Sequence, residues 1–133
     1  MSSHYLLLDT HIWVWWLQQN PQLPVALRQQ IEQFSGALAI SSASLYESLW
    51  LIRSGRIEVS LPLMEWITLA TEDSGIEVLP TDKAIAVRAA LLPQHHGDPM
   101  DRAIIATAIE HRSQLVSMDR LFSRYEELDG LLV

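Results

Sequence analysis

Leu6-Leu7-Leu8-Asp9-Thr10-His11-Ile12-Trp13-Val14-Trp15-Trp16 is an almost wholly apolar run with a carboxylate at its midpoint. Its length suits a buried strand that passes directly into a buried helix. A charge inside such a run costs several kcal/mol unless it is paired, hydrogen-bonded or held on a metal. Asp9 therefore needs a partner, and the rest of the chain has to supply it.

Outward from Tyr5–Leu8, further apolar segments of strand length recur at Ala37–Ile40, Ile76–Leu79, Leu115–Met118 and Leu131–Val133. Stretches of helical periodicity separate them, at Thr10–Leu17, Pro24–Phe34, Ser44–Arg53, Pro62–Glu72, Lys83–Leu91, Pro99–His111 and Arg120–Glu127. This alternation predicts an α/β fold with a central, mostly parallel sheet of four to five strands flanked by helices. Glycines fall between the segments, and Pro62 and Pro99 sit where first-turn prolines belong. No repeat, low-complexity tract or linker divides the chain, so residues 1–133 read as a single domain.

Composition narrows the function. Apolar residues make up 49% of the chain and five are Trp, which argues against disorder, yet no apolar stretch is long enough for a membrane helix. The N-terminus lacks a secretory pattern and there is no cysteine, so the expectation is a soluble cytoplasmic protein that makes no membrane contact. A net charge of −7 excludes non-specific nucleic-acid binding through a basic surface. Any phosphate would have to be drawn in by a metal ion or by local arginines.

The carboxylates supply the next step. In an open parallel α/β sheet, ligands bind beyond the carboxyl ends of the strands. Asp9 and Asp119 each follow a predicted strand there, and Glu47 lies early in the helix after Ala37–Ile40. If the strand at Leu115 runs parallel to the others, the helix Pro99–His111 starts at the same edge and brings Asp98 and Asp101 with it. The seven residues Leu92–Asp98 reach up to about 23–25 Å, enough to climb back beside a helix. Each acid also has a plain structural reading. Asp9, Asp98 and Asp119 suit N-caps, and Ser44-Leu45-Tyr46-Glu47 has capping-box spacing. As a set they exceed what capping needs. Close carboxylates repel and some would be forced to protonate unless a cation holds them, and a hard divalent ion such as Mg²⁺ accepts such oxygen ligands together with water and phosphate. A site of that kind can lower the pKa of a bound water, orient it toward a phosphodiester and neutralise charge on the leaving oxygen.

LLLDTHIWVWW, SSASLYE around Glu47, HGDPMDRAIIATA around Asp101 and LVSMD ending at Asp119 together resemble the PIN-domain ribonucleases, most closely the VapC-type toxins of bacterial toxin-antitoxin pairs. The likeness runs from Leu6 to about Glu127. It implies a three-layer PIN-like domain, endonucleolytic cleavage of RNA with Mg²⁺ (Mn²⁺ as a substitute), a homodimer and a cognate antitoxin protein. The family's acidic quartet falls on Asp9, Glu47, Asp101 and Asp119, as catalytic residues and metal ligands. Where the family often has Thr two residues before the last Asp, this chain has Ser117, which keeps the hydroxyl.

Ancillary roles go to Thr10, Asp98, Ser117, Arg102 and Arg120. Arg102 and Arg120 each follow a quartet Asp in the first turn of a helix, where the macrodipole disfavours a cation, and pairing with the neighbouring carboxylates or contact with RNA phosphate would explain them. His11 reads as a partly buried structural residue. His95-His96 lacks the helical spacing of a zinc motif and reads as a solvent-exposed loop pair. The all-round apolar first helix and the helix with Tyr46, Leu49 and Trp50 indicate deep core or a protein interface. An aspartyl-phosphate phosphatase would need another Asp where His11 stands. A receiver domain needs a late Lys and finds only Lys83, and a dinucleotide site needs glycines absent from Asp9-Thr10-His11. The remaining rival is a non-catalytic protein-binding module whose acidic edge docks a basic partner.

Overall fold

A computed structural model of the chain describes residues 4–95 and 97–133. Strands β1 (Tyr5–Leu8), β2 (Ala37–Ser41), β3 (Glu77–Leu79) and β4 (Gln114–Val116) form one parallel sheet in the order β3-β2-β1-β4. Around it lie α1 (Thr10–Gln18), α2 (Val25–Gln33), α3 (Ser42–Arg53), α4 (Leu63–Thr68), α5 (Lys83–Leu91) and α6 (Pro99–His111).

Alternation along β1 builds three layers. Leu6 and Leu8 enter a core with Ile12, Trp13, Ile31, Ile40 and Trp66, whereas Leu7 enters a second core with Ile104, Ile105, Leu115 and Phe122. Both faces of the strand are therefore covered, which is why its leucines run without a polar break. Tyr5, Leu6 and Leu7 pair with Ala37, Leu38 and Ala39 on one side, and Leu6, Leu7 and Leu8 with Gln114, Leu115 and Val116 on the other. At the entry to β2, the Ala37 N–H donates to the His4 carbonyl at 2.7 Å, and a Cβ on Gly36 would overlap that carbonyl.

The chain winds from β1 through β2 to β3 and then crosses back to lay β4 on the far side of β1. Strand order thus reverses between β1 and β4, and a crevice opens at their carboxyl ends.

Three expected elements differ in detail. The stretch Pro62–Glu72 is not one helix: α4 passes into a π-helical turn, Leu69–Asp73, whose Ala70 carbonyl accepts the Trp13 indole N–H at 3.2 Å. Arg120–Glu127 becomes two 3-10 turns, Arg120–Arg124 and Glu126–Leu128. Leu131–Val133 adds only an isolated parallel bridge from Leu132 to Leu115, so the sheet has four strands. No helix among the described residues is long and apolar enough to cross a membrane.

Candidate active site

Asp9 ends β1 and begins α1. Its backbone N–H donates to the Val116 carbonyl at 3.1 Å, which ties the turn to β4. One carboxylate oxygen accepts the Ile12 N–H at 2.9 Å and caps the helix. Only 9% of the residue is exposed. Burial pushes its carboxyl above the usual carboxylate range, and the Ser117 hydroxyl and the Ile12 N–H work against that shift by bonding the ionised form.

Glu47 is presented by α3, one turn inside the helix. Ser41 caps this helix, accepting the Ala43 N–H at 3.0 Å. The capping box read from Ser44 and Glu47 is therefore not formed: Ser44 is buried within the helix. The Thr10 hydroxyl donates to Glu47 Oε1 at 2.6 Å and lies 3.0 Å from Ser44 Oγ. A bond between the first turn of α1 and α3 orients the acid, and sequence reasoning had not identified Ser44 as a member of this group.

At the start of α6 the labour is divided. Asp98 is the N-cap, accepting the N–H of Met100 at 2.9 Å and of Asp101 at 3.4 Å. Asp101, three residues on, is pushed up to about 7 by burial first and then by the negative charges of Asp98, Glu47, Asp119 and Asp9. Asp119 follows β4, caps the first 3-10 turn through the Leu121 N–H at 2.9 Å, and takes a bond from its own N–H to Ser117 Oγ at 3.0 Å.

These groups line one cleft of about 300 Å³, formed by Asp9, Thr10, Glu47, Asp98, Asp101 and Asp119 with His11, Ile12, Trp15 and Met118. A larger open groove of about 700 Å³, lined by Trp16, Leu23, Arg28 and Glu32 among others, has no comparable set of reactive groups. The carboxylate cleft fits a hard divalent cation on two counts. Its charged side-chain donors are carboxylate oxygens, and Asp101 is raised to about 7 by burial and by neighbouring anions whose repulsion a cation would relieve. It is not a ready-made cage: among the described residues no group of three or more His, Asp or Glu side chains is gathered as a metal-binding set. Such a cage is not required, because Mg²⁺ characteristically takes only one or two carboxylates and keeps water and phosphate for the rest.

The ancillary residues separate. Ser117 bonds both Asp9 and Asp119 and belongs to the site. Arg102 does not turn to the neighbouring carboxylates as expected; its guanidinium donates to the carbonyls of Ala90, Leu92 and Pro93. Arg120 is exposed, and among the described residues the ion pair found is Arg88 with Glu110, so the expected carboxylate pairing of Arg120 is also absent. His11 is exposed at the cleft and meets Trp15 edge-on at 6.0 Å, rather than being partly buried. His95 is exposed with its ring against Tyr125 at 4.7 Å, and His96 lies outside the described residues. Of the tryptophans, Trp13 is fully buried whereas Trp50 is 54% exposed beside the Arg56 guanidinium.

Comparison with known proteins agrees with this architecture. A family model for the PIN domain matches residues 6–128. Ribonuclease VapC22 of Mycobacterium tuberculosis (strain ATCC 25618 / H37Rv) is 39% identical over 116 residues, 86% of this chain and 87% of that protein. Among solved structures, VapBC2 from Rickettsia felis bound to a promoter DNA fragment superposes with a TM-score of 0.73 at 19% identity, covering 97% of both chains. DNA-bound VapBC from Salmonella typhimurium gives 0.67 at 20% identity, over 96% of this chain and 95% of that one. At those identities the likeness bears on the fold, and all of it points to the same parallel α/β architecture.

Proposed function

Because this chain belongs to the PIN-domain family, we propose that it is a divalent-metal-dependent endoribonuclease, acting in the cytoplasm as the toxin of a toxin-antitoxin pair. One observation carries the reading: acids from four separate stretches of sequence face one cleft at the switch point, where burial first and then their charges push Asp101 to about 7. Capping accounts for Asp9, Asp98 and Asp119 singly. It does not account for Asp101 and Glu47, which lie inside α6 and α3 rather than at their N-cap positions and add repulsion.

Asp9, Asp101 and Asp119 are the principal ligands for Mg²⁺, or Mn²⁺ in its place, with Glu47 as a fourth ligand or as a proton acceptor. The bound ion supplies Lewis acidity toward a phosphodiester and neutralises charge that develops on the leaving oxygen. It also gives a protein of net charge −7 a local attraction for phosphate. Thr10 fixes one oxygen of Glu47, which leaves the other to take a proton from an attacking water. Ser117 accepts the Asp119 N–H and its hydroxyl favours the ionised form of Asp9, so it supports both acids at the ends of β4 and β1.

The partners are a cognate antitoxin and a second copy of the chain. Apolar side chains left exposed support contacts of that kind: Tyr46, Trp50 and Met64 in α3 and α4, and Val87 and Leu91 in α5. The test of the catalytic reading compares wild type with Asp101→Asn on a structured RNA pool, with Mg²⁺, with Mn²⁺ and with chelator, after circular dichroism has shown equal folding. Discrete cleavage is expected from wild type with metal and from no other combination. Equal cutting by both proteins, or cutting that survives chelation, would reject the assignment and favour a carboxylate edge that only binds a partner.

A further inference from the structure

Arg102 occupies the first turn of α6, where the partial positive charge of the helix end disfavours a cation, yet it is only 8% exposed. Its guanidinium reaches back to the end of the preceding helix. Nη1 donates to the Pro93 carbonyl at 2.9 Å, and Nη2 donates to the carbonyls of Leu92 at 2.7 Å and Ala90 at 3.4 Å. Ala90 and Leu92 belong to the last turn and C-cap of α5, where orphan carbonyls need donors and the helix dipole favours positive charge. The unfavourable position at one helix start is therefore the favourable position at another helix end.

The local chain gives this contact its consequence. Residues 93–95 and 97 between the two helices form no helix or strand, so regular backbone bonding does not set where α6 begins. On the same first turn, the Arg102 N–H donates to the Asp98 carbonyl at 3.0 Å, and the Asp98 side chain caps Met100 and Asp101. We infer that Arg102 is a positioning residue: by stapling the end of α5 to the first turn of α6 it sets where Asp98 and Asp101 stand in the carboxylate cleft. The inference rests on the reading of Asp101 as a metal ligand. A planar fork presents two separated nitrogens to different carbonyls in a fixed geometry, whereas a lysine ammonium has its three donors on one nitrogen.

The test uses the full chain as wild type, R102K, R102M, D101N and the R102M/D101N double variant. Mn²⁺ affinity is read from the free-ion EPR signal, and hydrogen exchange is followed at α6 and across the sheet. R102K and R102M should keep the slow exchange of β1 and β4 but exchange faster at the amides of Met100 and Asp101. Their Mn²⁺ affinity should fall about 10-fold, the scale of a lost outer-sphere support. In the D101N background R102M should cost no further affinity, because it acts through Asp101. Unchanged exchange at α6, or a full additional loss in the double variant, would overturn the proposal. If R102M fails to fold, R102K decides by the same readings. If wild type binds no Mn²⁺, the metal reading falls by itself, and unchanged exchange at Met100 and Asp101 in R102K would separately remove the staple.

Discussion

The starts of α1 and α6 solve one problem in two ways. At α1 a single carboxylate, Asp9, both caps the helix and faces the cleft. At α6 two residues share them: Asp98 caps the helix and lines the cleft, and Asp101, three residues further in, adds a second carboxylate to the same cleft. Asp9 is buried and held by the Ile12 N–H and the Ser117 hydroxyl, so its ionised form has local support. Asp101 has burial and four negative neighbours working against ionisation. Burial raises both acids, and at Asp101 the charges of Asp98, Glu47, Asp119 and Asp9 add to it. Where several carboxylates from separate elements raise one another's electrostatic cost, function is the better explanation for their presence.

Substitutions can break this contrast. The largest effect belongs to Asp101→Asn: cleavage should fall by at least about 100-fold, as expected when a metal ligand is removed. Thermal melting of the metal-free protein should move upward, because the repelled charge is gone. A drop in both activity and melting temperature would show that Asp101 is structural after all.

At position 9 activity should fall on the same scale, but stability should depend on what replaces the acid. Asn caps as well as Asp, so Asp9→Ala should be about 1 kcal/mol less stable than Asp9→Asn by urea denaturation. At position 101 the same pair should reverse, since Ala is the better helix former and no cap is lost. Asp98→Ala comes next: about 1 kcal/mol of cap stability lost, with cleavage reduced about 10-fold or less because Asp101 remains.

The same contrast also predicts a slope with pH. Asp101 has a folded pKa of about 7 against an ordinary value of 3.8, so between those values the folded state binds more protons than the unfolded. Its contribution to stability is fully present below pH 4 and is lost as pH rises through 7. Asp9, raised by burial, acts in the same direction. Urea midpoints of metal-free wild type should therefore fall, relative to Asp101→Asn, on going from pH 4.5 to 7.5. A parallel pair of curves would contradict the shift.

Much of this was legible in the residues themselves. The run LLLD specifies a strand ending in a cap, and the observed β1 spans Tyr5–Leu8 with Asp9 as the cap of α1. Pro99–His111 starts at a strong local signal, Asp98-Pro99, and α5 and α6 keep the limits Lys83–Leu91 and Pro99–His111. Ser44 misled because capping-box spacing is a local pattern, while the cap went to Ser41, the residue on which β2 delivers the chain to α3. The break in Pro62–Glu72 had no local mark either: Ala70, in the π turn, meets the Trp13 indole from 57 residues away. Arg102 was conspicuous as a cation at a helix start, and its partners lie at the end of another helix.

Local chemistry therefore determined the order of elements, the caps, and the acids that stand at strand ends and helix starts. Periodicity, helix-start residues and charge act over a few residues, and a sequence states them directly. Which acids share a cleft depended on strand order, with β4 crossing to the far side of β1 and carrying Asp119 to Asp9. The Thr10–Glu47 bond and the Arg102 staple depended likewise on how α1 meets α3 and how α5 meets α6. Such contacts are chosen by the packing of two cores on the faces of one sheet, and packing joins residues that no local pattern relates.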